Sequence, residues 1–220
     1  MIDIIIPAYN SHNTIIKTLS SIAMQLNRDE LVVTIVNDGG KDYGDIVDIF
    51  RPLIKIQEIG YAENKGVGYA RQYGIDHTSN EFITFIDADD TFFEACSLSI
   101  LSQPLKDTSI KFIISPFMQV GKNCEQVQVP ANLVWLFGHM YRRSFLEQHN
   151  IRFTSTRANE DVGFNSICNL VASYEAGDNG GKAMSHPTYQ WHYNQASITR
   201  RGKSEYEYGI CTPRIHLQFT

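Results

Sequence analysis

Phe82-Ile83-Thr84-Phe85-Ile86-Asp87-Ala88-Asp89-Asp90 is the stretch that decides the fold. Bulky aromatic and β-branched residues in a short run mark a buried strand, and three carboxylates within four positions mark its carboxyl end. In an extended chain side chains alternate faces, so Asp87 and Asp89 are expected to point the same way. At about 4 Å and an effective dielectric of about 20 two such charges repel by about 4 kcal/mol. A cation between them is the expected remedy. Few hard oxygen ligands, completed by a substrate diphosphate, suit Mg²⁺ or Mn²⁺. A solvated turn whose aspartates cap a helix from Phe92 onward accounts for the same residues.

Working outward, Ile4-Ile5-Ile6 ended by Pro7 reads as another strand buried on both faces. Asn10 to Asn13 offers helix-capping chemistry, and Ile15, Ile16, Leu19, Ile22 and Ala23 recur at helical spacing. Leu31 to Val36 is a second strand ending at Asn37-Asp38-Gly39-Gly40, followed by a helix around Gly44 to Phe50. A third strand lies near Ile54 to Glu58, and a helix spans about Gly66 to Ile75. This alternation is the rhythm of an open α/β sheet, in which ligands sit beyond the carboxyl ends of the strands. Pro7-Ala8-Tyr9, Asp38-Gly39-Gly40 and Asp87-Ala88-Asp89 all fall there.

Beyond residue 105 the pattern loosens. Lys111 to Phe117 and Leu133 to Phe137, with Trp135 in it, read as strands. Arg143 to His149 reads as a short helix stopped by Asn150, Glu160 to Tyr174 as a longer one, and Thr188 to Tyr193 as a last alternating strand after the Asp178 to Gly181 loop. No proline- or glycine-rich linker separates the halves. The expectation is one domain over residues 1–220, with a donor half to about 105 and an acceptor half from about 106.

Composition narrows the class. With 220 residues, 43% hydrophobic and 20% charged, the chain is globular, and a net charge of −5 does not advertise a nucleic-acid partner. Cys96, Cys124, Cys168 and Cys211 lie far apart without a Cys-x-x-Cys pair, which argues against structural zinc and a disulfide scaffold. The opening Met1-Ile2-Asp3 shows no signal peptide, and no apolar run reaches about 18 residues, so a cytoplasmic location without stable membrane insertion is expected.

Several constellations carry two readings. Gly66-x-Gly68 lacks the third glycine of a dinucleotide fingerprint, because Arg71 stands there, and no P-loop run exists. Asn64-Lys65-Gly66 with Arg71 is either a helix cap with a solvated arginine or an anion-facing wall. Glu160-Asp161 is either a first helical turn favoured by the macrodipole or a pair that includes a general base. Tyr141-Arg142-Arg143 suits a solvated helix start. Trp191-His192-Tyr193 suits a packed strand face, although His192 is within reach of a metal.

Taken in order, Ile6 to Asn10, Val36 to Gly40, Asn64-Lys65-Gly66 with Ala70-Arg71, Asp87 to Asp90, Gly138 to Arg143 and Glu160-Asp161 resemble family 2 glycosyltransferases over about residues 2 to 199. The resemblance implies a GT-A nucleotide-diphospho-sugar transferase fold, an open and mostly parallel twisted sheet flanked by helices. It implies that Pro7, Tyr9 and Asp38, with Ala8 between them, hold the base and ribose of a nucleotide, usually uridine. Asn64, Gly66 and Arg71 would shape the wall beside the sugar and diphosphate. Asp87 and Asp89, with Ala88 against the nucleotide, would carry the Asp-x-Asp function toward Mn²⁺ or Mg²⁺. His192 is a further candidate ligand, and Asp161 would be the base of an inverting transfer from a UDP-sugar to a hydroxyl.

Departures from the family pattern fall on the acceptor side. His139 stands where relatives commonly carry lysine, and Arg200-Arg201-Gly202-Lys203 is either a phosphate-closing loop or a solvated one. A saccharide is the expected acceptor, with a lipid-linked glycan, a protein or a modified nucleobase left open. Two other readings compete. A nucleotide-sugar-binding module without catalysis would have no need of Asp161. A nucleotidyltransferase would carry a glycine- and arginine-rich loop where Ala8-Tyr9-Asn10 stands.

Overall fold

Ile4, Ile5 and Ile6 are all fully buried because strand β1 (Ile2–Ala8) lies mid-sheet with helices against both faces. Each such side chain contributes about 1.5–3 kcal/mol by leaving water. The computed structural model describes residues 1–154, 159–176 and 180–194. The elements that follow β1 are α1 (His12–Ala23), β2 (Leu31–Asp38), α2 (Gly44–Phe50), β3 (Lys55–Tyr61), α3 (Val67–Asp76), β4 (Phe82–Phe85), β5 (Thr91–Phe92) and α4 (Ser97–Ser102). The second half contributes β6 (Phe112–Ile114), β7 (Phe117–Val120), β8 (Gln126–Val129), β9 (His139–Arg142), α5 (Arg143–Gln148), α6 (Glu160–Ala176), β10 (Gly181–Ala183) and β11 (Tyr189–His192).

The main sheet runs β10-β6-β9-β4-β1-β2-β3, and a second sheet runs β5-β11-β7-β8. β1, β2, β3 and β4 are mutually parallel, whereas β9 is antiparallel to both β4 and β6. Ile4 and Ile6 face the layer of α1 and α2, and Ile5 faces that of α3, α5 and α6. The mostly parallel α/β architecture expected from the sequence is therefore present. Its order reverses at β1, between β2 and β4, so the switch-point crevice opens beyond the ends of β1 and β4.

Several expectations are corrected. Lys111 to Phe117 is two strands, because Ser115-Pro116 breaks the ladder and sends β6 and β7 to different sheets. Leu133 to Phe137 is a loop, and the strand that follows it is β9. Thr91–Phe92 is a strand, and the next helix waits until Ser97. Arg142 and Arg143 are buried rather than solvated. The Arg143 guanidinium donates to Asp3, Thr78 and the carbonyls of Ile75 and Asn80, while that of Arg142 reaches Glu81 and the Leu105 carbonyl. These two arginines tie β9 and α5 to the start of β1 and the turn before β4. Among the described residues Cys96, Cys124 and Cys168 are free thiols. Cys211, Asp178, Asn179 and the Arg200 to Lys203 run lie outside the described residues.

Candidate active site

Register places the first part of the site. Ala8 pairs with Asn37, Asp38 with Tyr61 and Ile5 with Phe85, so Pro7-Ala8-Tyr9, Asp38 and Asp87 all emerge at one edge of the sheet. Tyr9 is half exposed there, at 50%. Asp38 is buried, and its carboxylate accepts from Tyr61 Oη at 2.9 Å and from the backbone N–H of Lys65 at 2.7 Å and Gly66 at 3.0 Å. Asp38 thereby holds the Asn64-Lys65-Gly66 turn against the end of β2. Gly39, at φ +72°, permits that contact, since a Cβ there would lie 2.5 Å from the backbone nitrogen of Asn64.

The aspartate cluster is not extended. The strand ends at Phe85, and Asp87 to Asp90 close a turn in which the Asp90 N–H donates to the Asp87 carbonyl at 3.1 Å. Simple alternation therefore does not set the direction of Asp87 and Asp89. The three carboxylates instead have separate surroundings. Asp90 is buried and accepts from Tyr189 Oη at 2.6 Å and from the His192 N–H at 2.8 Å. Burial and its two acidic neighbours push its pKa well above the usual range. Asp89 accepts from Asn194 Nδ2 at 2.8 Å. Asp87 accepts from Arg71 Nη2 at 2.8 Å.

Arg71 is the hub. Its other branch donates to Glu160 Oε1 at 2.5 Å, so one guanidinium joins the aspartate turn to the first residue of α6. Burial opposes the charge, but Asp87, Glu160 and Asp161 outweigh it and hold the pKa above the ordinary arginine value. Gly68 makes the contact close, because a Cβ there would stand 2.5 Å from the Thr154 carbonyl oxygen and 3.1 Å from Glu160 Cβ. Gly68 thus spaces α3 against α6 rather than cradling a dinucleotide.

Asp161 follows Glu160 and lies partly exposed at the start of α6. Desolvation, then the charge of Glu160, push its carboxyl up to about 6, with Arg71 and the Val162 N–H holding it back. A carboxylate tuned there is half ionised just below neutrality, where a general base is most effective.

The remaining candidates divide. Asn64 is exposed and Gly66, at φ +91°, caps α3. The His192 ring lies 2.9 Å from Thr91 Oγ1 and 3.2 Å from Lys17 Nζ, and desolvation followed by Lys17 pushes its pKa down to about 4, leaving a neutral imidazole. His139 is buried, with Nε2 3.0 Å from the Asn132 carbonyl and Nδ1 3.0 Å from Tyr141 Oη. Among the described residues no three His, Cys, Asp or Glu side chains gather as a metal site, so a divalent ion held by Asp87 and Asp89 would need ligands from the substrate. Asp87 and Asp89 are both partly exposed, which fits that division. Sequence reasoning missed the Arg71 bridge and the Asp90 anchor, both of which join positions far apart in the chain.

Comparison with known proteins supplies the family. The profile described as glycosyl transferase family 2 matches residues 3–158. The chain belongs to glycosyl transferase family 2. A curated family relative, the putative glycosyltransferase EpsH of Bacillus subtilis, is 26% identical over 99% of this chain and 68% of its own length. The chain is similar in structure to residues 1–349 of Staphylococcus aureus TarS in complex with UDP-GlcNAc, with TM-score 0.76, 19% identity, and coverage of 91% of this chain and 61% of that one. It also resembles the mannosyltransferase PcManGT of Pyrobaculum calidifontis in complex with GDP-Man and Mn²⁺, with TM-score 0.65, 17% identity, and coverage of 87% and 56%. These likenesses establish the GT-A fold. Some relatives are far longer, and the chain spans only 13% of an uncharacterized glycosyltransferase of Rickettsia bellii. No helix among the described residues is long and apolar enough to cross a membrane.

Proposed function

We propose that the chain transfers a sugar from a nucleoside-diphosphate donor, a UDP-sugar in the first instance, to an acceptor hydroxyl with inversion at the anomeric carbon. One observation carries the reading: Arg71 links Asp87 of the aspartate turn directly to Glu160, next to the tuned carboxyl of Asp161. This link supports a reading in which nucleotide, diphosphate and general base follow one another across the ends of the strands. Tyr9 and Asp38 take the base and ribose, Pro7, Ala8 and Ala88 shape the floor, and Asn64 and Gly66 face the sugar and diphosphate. Arg71 keeps the Asp87 side chain and the amino end of α6 in fixed relation. Asp161 accepts the acceptor proton as the oxygen attacks C1 from the face opposite the diphosphate, which departs with the bonding pair. Asp87 and Asp89 would hold a divalent ion, which would supply charge neutralisation for that leaving group.

The UDP-GlcNAc complex of TarS and the GDP-Man and Mn²⁺ complex of PcManGT support a nucleotide-sugar donor and the ion. The acceptor we favour is a saccharide. Screening UDP-hexoses, UDP-N-acetylhexosamines and UDP-pentoses for hydrolysis with Mn²⁺ tests the reading, and no turnover of any of them by the unmutated protein would reject it. UDP titrated calorimetrically should bind more weakly in EDTA than in Mn²⁺, and Asp89→Ala should abolish that difference. Equal affinity in both conditions would remove the ion.

A further inference from the structure

Asn132 to Phe137 is a loop whose backbone is held by buried side chains. Asn165 Nδ2 lies 3.2 Å from the Leu133 carbonyl oxygen and 3.0 Å from that of Trp135, and the His139 ring holds the Asn132 carbonyl at 3.0 Å. Leu136 is sunk in the core, while Trp135 remains 40% exposed. The indole meets Phe117 at 5.6 Å between centroids and 81°, which fixes its ring while part of it stays in water.

Its position is informative. Asn165 is four residues beyond Asp161 on α6, which puts the two side chains on one helix face a single turn apart. On the other side Trp135 stacks nearly parallel to Phe137, at 6.2 Å between centroids and 4°, and Phe137 stacks on Tyr189 at 4.8 Å and 14°. Tyr189 Oη contacts Asp90 at 2.6 Å and receives the Asp87 N–H at 3.3 Å. The indole is therefore tied at its backbone to the helix of the base and at its ring to the aspartate turn. We propose that Trp135 is a stacking platform for a pyranose ring of the acceptor, placing that ring beside Asp161.

The chemistry suits a sugar. A pyranose presents C–H groups on one face, which pack on the electron-rich face of an indole, and hydroxyls at its edge for the neighbouring carboxyl. The inference rests on the sugar-transfer reading but is tested without a donor. Saturation-transfer NMR on the full chain with cellobiose, maltose and N,N′-diacetylchitobiose should show transfer from aromatic protons to the ring C–H protons of at least one disaccharide. Trp135→Ala should lower that signal roughly fivefold or more, and Trp135→Tyr should keep most of it, since an aromatic face is what is required. UDP affinity should stay within about twofold in both variants, reporting an intact fold and donor crevice. Absence of saturation transfer to all three disaccharides, or a full signal in Trp135→Ala, would overturn the platform. Failure of the donor screen would leave these NMR outcomes standing, so the two readings fail separately.

Discussion

The two halves of the molecule fix their side chains by different means. From β1 to β4 the chain pairs parallel strands over long registers, seven residues for β1 with β2 and seven for β2 with β3, each strand reached through a helical connection. From β6 to β11 the strands are only three or four residues long, β8 and β9 run antiparallel to the strands they pair with, and the set divides between two sheets. A long register positions a strand-end residue through the backbone, so Tyr9 and Asp38 need little else. Short strands give no such leverage. There, position comes from buried polar side chains: Arg142 and Arg143 under β9, Asn165 and His139 around the loop, and Arg71 reaching across to Glu160. Single side-chain changes are expected to cost most where they touch this second system.

Asp161 is the sharpest case, because the second half presents it and nothing in the first half replaces it. A positioned general base is worth about 10² to 10⁴ in rate, or about 3 to 5.5 kcal/mol. Asp161→Asn should lose that much sugar transfer while UDP affinity changes less than about threefold. The pH profile of kcat/KM in the unmutated protein should rise with an apparent pKa of about 6, since only the ionised carboxyl accepts a proton. Stability supplies a second check. The folded pKa lies above the unfolded one, so ionisation of Asp161 costs stability progressively as pH rises from about 3.8 to about 6, in full above that, and nothing at a pH low enough to protonate both states. The Asn variant should therefore hold or raise its melting temperature at pH 8. A helix-capping carboxylate predicts the reverse, a loss of about 0.3–1 kcal/mol with turnover nearly intact.

Arg71 tests whether the halves are as separate as their backbones. It belongs to α3 in the first half, yet one of its two partners is Glu160, with side-chain exposures of 6% and 6% for the pair. Removing one partner of a buried pair typically costs about 3–5 kcal/mol, because the other charge is left without compensation. Arg71→Met should lose about that much in urea denaturation. Arg51, paired with Asp48 at 66% and 70% exposure, should lose no more than about 1 kcal/mol on the same change. Equal losses at the two positions would mean that Arg71 does not tie the halves together.

How much of this was legible follows the same division. The strand ends near Pro7 and Asp38, the helix at Gly44–Phe50 and the start of the long helix at Glu160 are legible because apolar runs and helical spacing are local signals. Leu133-Val134-Trp135-Leu136 has strand composition, which predicts a strand where the structure has a loop. What makes it a loop is Asn165, some thirty residues away. Arg142 and Arg143 looked solvated for the same reason, since their partners Glu81 and Asp3 are distant in sequence. Gly66-x-Gly68 fails as a dinucleotide pattern on local spacing, but its structural cause, the approach of Glu160 and Thr154 to Gly68, has no local signal. Local periodicity reveals elements, and long-range polar pairs do not announce themselves.

The smallest expected effect lies in the first half, where backbone register does the positioning and one base is to be told from another. Asp38 already accepts three hydrogen bonds, two on Oδ1 and one on Oδ2, so of about four lone-pair sites one remains on Oδ2. That site can take a single ring N–H, as uracil offers at N3 and adenine does not, while the half-exposed Tyr9 stacks on either base. One unmatched polar contact is a modest penalty, so UDP should bind about tenfold more tightly than ADP, or about 1.4 kcal/mol. Asp38→Asn should narrow that ratio, and it should also loosen the Asn64 to Gly66 turn, because an amide accepts through one oxygen where the carboxylate used two. Competition calorimetry against the UDP complex reads both effects. Equal displacement by ADP and UDP in the unmutated protein would leave Asp38 as a brace for the turn and move base recognition elsewhere along β1.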